Sequence, residues 1–231
     1  MKGMFGKGIF VVVAAICLAV AGVTTSSANS TSAIPSANAS AHFLPAGSIV
    51  AESLHLEPVT DPGLLAQRPM NVSASASLYV LRSGAGSNLC LDADTATLGS
   101  NGTKIQLWTC SYQAPGWPAS NQLWWLSTRD PGALSSTFIQ SNVSGRCLDA
   151  DRSAPIGQNG VKVQLWDCVS SDFTEWKALN QIWGWDPYQP NQLVNHWHWT
   201  CLNADGNTLR TKVHLWSCSD GGARDQWYPG L

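Results

Sequence analysis

The chain of 231 residues carries thirteen lysines and arginines against fifteen aspartates and glutamates, a formal net charge of −2. Charged residues make up 12% of it, roughly half the soluble average of about 25%. It has no basic stripe of the kind that grips nucleic acid or an anionic membrane. The length fits one or two domains and leaves little room for a large enzyme beside an accessory module.

At the start, Lys2 and Lys7 precede or flank an apolar run from Ile9 to Val23, and the small residues Ser26, Ser27 and Ala28 follow. A basic start, an apolar centre and a small-residue cut site describe a secretory signal peptide over residues 1–28. The run is shorter than the about 20 residues a membrane helix needs. Cys17 follows Ile16, where a lipoprotein signal wants a small residue, so a lipid anchor is rejected. Cleavage removes two lysines and leaves a formal charge of −4. The expected product is secreted and extracellular, with no membrane insertion.

Residues 29–75 are rich in Ser, Ala, Pro and Asn and contain neither Cys nor Trp. Such a stretch buries too little apolar surface to offset its ordering entropy, so a flexible linker or tail is expected. Leu54, Leu56, Leu64 and Leu65 are the residues through which a short patch of it could dock. Asn29, Asn38, Asn71, Asn101 and Asn142 each begin an Asn-X-Ser/Thr sequon.

From residue 76 onward the chain repeats itself. Cys90-Leu91-Asp92-Ala93-Asp94, Lys104-Ile105-Gln106-Leu107-Trp108-Thr109-Cys110 and Asn121-Gln122-Leu123-Trp124 form the first unit. Cys147-Leu148-Asp149-Ala150-Asp151, Lys162-Val163-Gln164-Leu165-Trp166-Asp167-Cys168 and Asn180-Gln181-Ile182-Trp183 form the second. Cys201-Leu202-Asn203-Ala204-Asp205, Lys212-Val213-His214-Leu215-Trp216-Ser217-Cys218 and Asp225-Gln226-Trp227 form the third. A repeat of this length must be explained before any single motif.

Each unit reads as strands. Lys104 to Trp108 alternates with period two behind the turn signal Asn101-Gly102. Further strands precede each first cysteine, at 78–81, 137–140 and 192–194. Four strands per unit, without helical periodicity, predict a pseudo-threefold closed all-β domain over 76–231. Leu91, Leu107, Trp124, Leu148, Leu165, Trp183, Leu202, Leu215 and Trp227 are the expected core.

Apart from Cys17, six cysteines remain, two per unit. Fifteen pairings are possible, and the repeat symmetry favours Cys90–Cys110, Cys147–Cys168 and Cys201–Cys218. Each closed loop is worth roughly 3 kcal/mol by the chain-entropy estimate. Zinc would want Cys-X-X-Cys pairs, and none occur.

The threefold Cys-Leu-Asp, Gln-X-Trp and Asn-Gln-X-Trp pattern resembles the ricin B-type β-trefoil lectins over residues 76–231. The resemblance implies a β-trefoil of three four-strand repeats, each with one internal disulfide. It also implies that the Asp accepts hydrogen bonds from adjacent sugar hydroxyls and that the Trp of Gln-X-Trp stacks on the pyranose. The Asn of Asn-Gln adds a hydrogen bond, and the glutamines support the site. The residues so implied are Asp92, Gln106, Trp108, Asn121 and Gln122, then Asp149, Gln164, Trp166, Asn180 and Gln181. In the third repeat the matching positions hold Asn203, His214, Trp216, Asp225 and Gln226, a reciprocal exchange of acid and amide. That pocket has either decayed or kept its shape with reversed hydrogen-bond polarity.

The chemistry suits a neutral mono-, oligo- or polysaccharide, galactose-type or a plant or cell-surface glycan. A carboxylate can accept two hydroxyl protons, at about 1.5–3 kcal/mol for each bond to a charged group. Indole supplies a flat apolar platform for the C–H face of the ring. The loops before Asn121 and Asn180 are longer than their third-repeat counterpart and carry Trp117 and Trp176, which wall the pockets or pin the loops.

Other readings are weaker. In His196-Trp197-His198-Trp199, two histidines two apart on a strand would share a face, but a metal needs a third ligand. The Asp-Ala-Asp pieces lack the remaining ligands of a calcium loop, and no cofactor is expected. A glycoside hydrolase needs two facing carboxyl groups about 5–10 Å apart, whereas Glu175 is the one glutamate of the repeat region. A sugar-free inhibitor or scaffold trefoil is the remaining alternative.

Overall fold

The computed structural model describes residues 57–111, 119–129, 134–186, 188–189, 191–218 and 222–230. The domain is all-β, as expected. Its strands are β1 (Ser77–Ser83), β2 (Leu89–Ala93), β3 (Thr103–Thr109), β4 (Leu123–Thr128), β5 (Thr137–Ser141) and β6 (Cys147–Ala150). They continue with β7 (Val161–Trp166), β8 (Ile182–Trp185), β9 (Leu193–Asn195), β10 (Cys201–Ala204), β11 (Val213–Trp216) and β12 (Trp227–Pro229). Short 3-10 turns at Ser120–Gln122, Trp176–Gln181 and Ala223–Asp225 lead into β4, β8 and β12.

The pairing is antiparallel and recurs along the chain. β1 pairs with β4, β4 with β5, β5 with β8 and β8 with β9, while β12 returns to β1. A bridge between Gln192 and Gln226 completes this ring. The hairpins β2–β3, β6–β7 and β10–β11 pack together at one side through β3–β7 and β7–β11 pairs.

Three backbone bonds tie these hairpins to one another. Gly102 N donates to Leu165 O at 2.9 Å, Gly160 N to Leu215 O at 2.7 Å, and Arg210 N to Leu107 O at 2.8 Å. All three donors have left-handed backbone, with φ of 88°, 81° and 64°. Glycine meets that demand without strain, so the third turn alone places a side chain there.

All nine expected core residues are buried in one cluster. Trp124, Trp183 and Trp227 lie within it, and each indole N–H donates to the carbonyl of Leu91, Leu148 or Leu202. Burying an indole requires a partner for its N–H, and the strand ahead of each site provides one. The disulfides are Cys90–Cys110, Cys147–Cys168 and Cys201–Cys218, the pairing favoured by the repeat.

Two expectations change. Residues 57–75 are a docked segment rather than a flexible linker: Val59 and Val72 are buried against Leu78, Val80 and Trp125, and a helical turn spans Pro62–Leu65. Few apolar residues sufficed because Val59 N also bonds Leu78 O at 2.7 Å. The His-Trp-His-Trp stretch is a turn, not a strand. Asn195 Oδ1 accepts from Trp197 N and His198 N at 3.2 and 3.1 Å, which ends β9 and separates the histidines. The sequon asparagine Asn142 is buried, its Oδ1 accepting from Trp125 Nε1 at 2.7 Å. The expected signal peptide, residues 29–56 and Trp117 lie outside the described residues.

Candidate functional site

The outward alternation of β3 and β7 does not simply face solvent. Lys104 and Lys162 do, but the next polar residues, Gln106 and Gln164, are buried beside the carboxylates of β2 and β6. The strand register sets this up, placing Asp92 opposite Gln106 and Asp149 opposite Gln164.

In the first repeat Asp92 collects three amides. Gln106 Nε2 donates to Oδ1 at 3.1 Å, while Asn121 Nδ2 and Gln122 Nε2 donate to Oδ2 at 2.9 Å each. Asn121 is steadied by Ala93 O and Gln122 by Thr109 O. Ser111 N and Oγ donate to Gln122 Oε1, fixing the orientation of that amide. The cleft above is walled by Trp108, which is partly exposed.

The second repeat reproduces the arrangement. Gln164 Nε2 reaches Asp149 Oδ1 at 3.2 Å, and Asn180 Nδ2 and Gln181 Nε2 reach Oδ2 at 2.8 Å each. Ala150 O, Asp167 O and Val169 N hold the two amides from behind. Trp166 stands at the rim with 41% of its surface exposed. Burial pushes the Asp149 carboxyl up to about 6, against the opposing pull of Gln181, Gln164 and Asn180, and pushes Asp92 in the same direction. Asn180 Oδ1 is buried and has no partner. A carboxylate has about four acceptor positions, so three amides leave capacity for a hydroxyl. Asp149 and Asn180 thus border the second cleft with a spare acceptor each.

The third repeat is assembled differently. Asn203 lies opposite His214 on β10 and β11, and His214 stacks on the exposed Trp216 at 5.4 Å between rings. Asp225 is fully buried, and Gln192 Nε2 donates to its Oδ2 at 3.0 Å. Gln192 begins the strand pair where the corresponding ring positions hold Val80 and Phe138, so this tie is peculiar to the third repeat. Gln226 accepts from the Tyr228 hydroxyl. The same register corrects the expected exchange of acid and amide: Gln226 stands where Leu123 and Ile182 do, Asp225 where Gln122 and Gln181 do, and Arg224 where Asn121 and Asn180 do. The reason is that Asp225-Gln226 lies one residue nearer the core Trp227 than the Asn-Gln pairs lie to Trp124 and Trp183.

Sequence reading missed the cations at these clefts. Lys104 and Arg210 border the first, and Arg152, Lys162 and Lys177 border the second. Lys104 and Lys162 recur at the same repeat position and were legible; Arg152 and Arg210 follow no repeat. A separate hollow lies between Met70–Ser73 and the Phe138–Phe173 pair, against the Cys147–Cys168 bridge, and includes none of the candidate site residues. The two histidines each direct Nε2 to a backbone carbonyl, His196 to Ser135 and His198 to Asp151. Among the described residues no group of three metal-ligating side chains is found.

A family model described as the ricin-type beta-trefoil lectin domain matches residues 77–227. The chain belongs to this family. The lectin domain shares its fold with a designed three-fold symmetric protein, ThreeFoil, at 22% identity and a TM-score of 0.53, covering 67% of this chain and 98% of that one. An agglutinin from Abrus precatorius is 23% identical with a TM-score of 0.50, over 68% of this chain and 49% of that chain. An exo-beta-1,3-galactanase from Clostridium thermocellum is 18% identical with a TM-score of 0.50, over 69% of this chain and 31% of the enzyme. The lectin domain thus spans less than half of either of those two proteins. No curated protein matches the chain in sequence.

Proposed function

We propose that this chain is a secreted, non-catalytic lectin: a β-trefoil of three four-strand repeats that binds neutral, galactose-type sugar units in its first and second repeats. The observation that carries the reading is the pair of buried carboxylates, Asp92 and Asp149, each held by three amides and, among the described residues, in no ion pair. An ionised carboxylate that far from water is costly unless something needs it. A ligand hydroxyl meets that need, and the unpartnered Asn180 Oδ1 supplies a second acceptor beside it. Trp108 and Trp166 border the same clefts.

Both acids are pinned as acceptors in separate repeats, an arrangement for binding rather than for the paired acid and nucleophile of glycoside hydrolysis. Asp92→Ala combined with Asp149→Ala is expected to abolish retention on immobilised galactose, with the thermal transition still cooperative. Retention of that folded double variant at the wild-type level would overturn the reading.

A further inference from the structure

Each of the two clefts is bordered by one arginine. Lys104 and Arg210 border the first beside Asp92 and Asp94, and Arg152, Lys162 and Lys177 border the second beside Asp149 and Asp151. Among the described residues the ion pair found is Arg146 with Asp167, at 3.0 Å. Neither cleft arginine is therefore neutralised by a described carboxylate. Of the acids nearby, Asp151 accepts from Ser153 N and Oγ and is drawn toward Lys162, Asp94 accepts from Ala96 N, and Glu175 from Lys177 N.

Both arginines are also held in place. The Arg152 guanidinium lies between two indoles, 4.7 Å from the Trp176 ring centre and 4.1 Å from that of Trp197. Its Nη1 donates to Lys177 O at 3.0 Å, which anchors one corner of the fork. A guanidinium has five N–H donors in a fixed plane, so its other edge remains available for two oxygens of one anion. Stacking removes the rotamer entropy that an exposed arginine loses when it binds.

Arg210 reaches the first cleft from the third repeat. It occupies the left-handed turn position that is Gly102 and Gly160 in the other repeats, and its guanidinium lies 5.3 Å over the Trp108 ring. In the first repeat the same turn position faces the second repeat's pocket: a Cβ at Gly102 would stand 3.7 Å from Lys162 Nζ and 3.9 Å from Gln164 Oε1. A strained backbone kept at a non-glycine residue, with its side chain at a binding cleft, marks a site at which the side chain is used.

We infer that the two clefts take a glycan whose galactose-type unit carries or adjoins an anionic substituent, a carboxylate or a sulfate, received by Arg152 in the second cleft and Arg210 in the first. This rests on the sugar-binding reading above and names the substrate class for the same clefts. The oxygens of such a group match the planar fork, which lysine would not reproduce.

The test compares three ligands on the full chain by calorimetry: a neutral β-galactoside, the same galactoside 6-sulfated, and a disaccharide joining it to a uronate. At least one anionic ligand should bind about tenfold more tightly than the neutral parent, the scale of one charge-assisted hydrogen bond. Which of the two gains identifies the source of the anion. The ratio of anionic to neutral affinity should fall to near one in Arg152→Gln with Arg210→Gln. Equal affinities for all three ligands in the unaltered protein would overturn the inference while leaving sugar binding intact, and that comparison does not depend on any variant folding. A preference that survives in the folded double variant would overturn it as well. Binding of none of the three would remove the sugar-binding reading beneath it.

Discussion

At the scale of single residues, the account turns on carboxylates made expensive by burial. Asp149 is 4% exposed and its proton leaves only near pH 6, because desolvation outweighs three amide donors. For the protein alone the sign is clear: a folded-state value above the ordinary 3.8 means stability is lost as pH rises between the two values. Ligand binding runs the other way, because the ionised form is the acceptor. Sugar affinity at the second cleft should fall about tenfold per pH unit below about 6, measurable by calorimetry in an Asp92→Ala background. Affinity that stays flat down to pH 4 would mean the carboxylate is not the acceptor. The repeated Asp, Gln and Asn side chains that build this site were all visible in the sequence, because the motif recurs in phase. Arg152 was not, since Trp176 and Trp197 that enclose it come from separate segments and meet only in the fold.

At the scale of elements, strand periodicity located β3, β7 and the strands before each first cysteine, and the paired cysteines fixed where each hairpin closes. The alternation in His196 to Trp199 misled because Asn195 caps its own chain and ends β9, a local bond that outcompetes the sheet. Turn residues carry as much information as strands here. Gly160 has φ of 81°, bonds Leu215 O, and has nothing within 4 Å of where a Cβ would stand. Gly160→Ala therefore isolates backbone strain from steric clash. It should cost about 1–2 kcal/mol in chemical denaturation while leaving sugar affinity at the first two clefts unchanged.

At the scale of the whole molecule, two equivalent clefts predict avidity. On a galactose-bearing surface the protein should bind about 10²-fold or more tightly than Asp149→Ala, provided both clefts reach the surface together, whereas both proteins should bind a soluble monosaccharide at similar strength per cleft. Surface plasmon resonance on high- and low-density surfaces reads the difference. The docked segment 57–75 was hidden by its composition, because three apolar residues, Val59, Leu64 and Val72, are enough once Trp125 and the Cys90–Cys110 bridge offer them a patch.

The tryptophans divide by role: Trp124, Trp183 and Trp227 sit in the core with their indole N–H groups bonded to carbonyls, while Trp108 and Trp166 stand at the clefts. Side-chain NMR of indole-labelled protein titrated with a β-galactoside tests this division and the central claim together. The Trp108 and Trp166 resonances should shift saturably and the three core resonances should stay still. Saturable binding that leaves Trp108 and Trp166 unmoved, or equal shifts in folded Asp92→Ala with Asp149→Ala, would contradict the account.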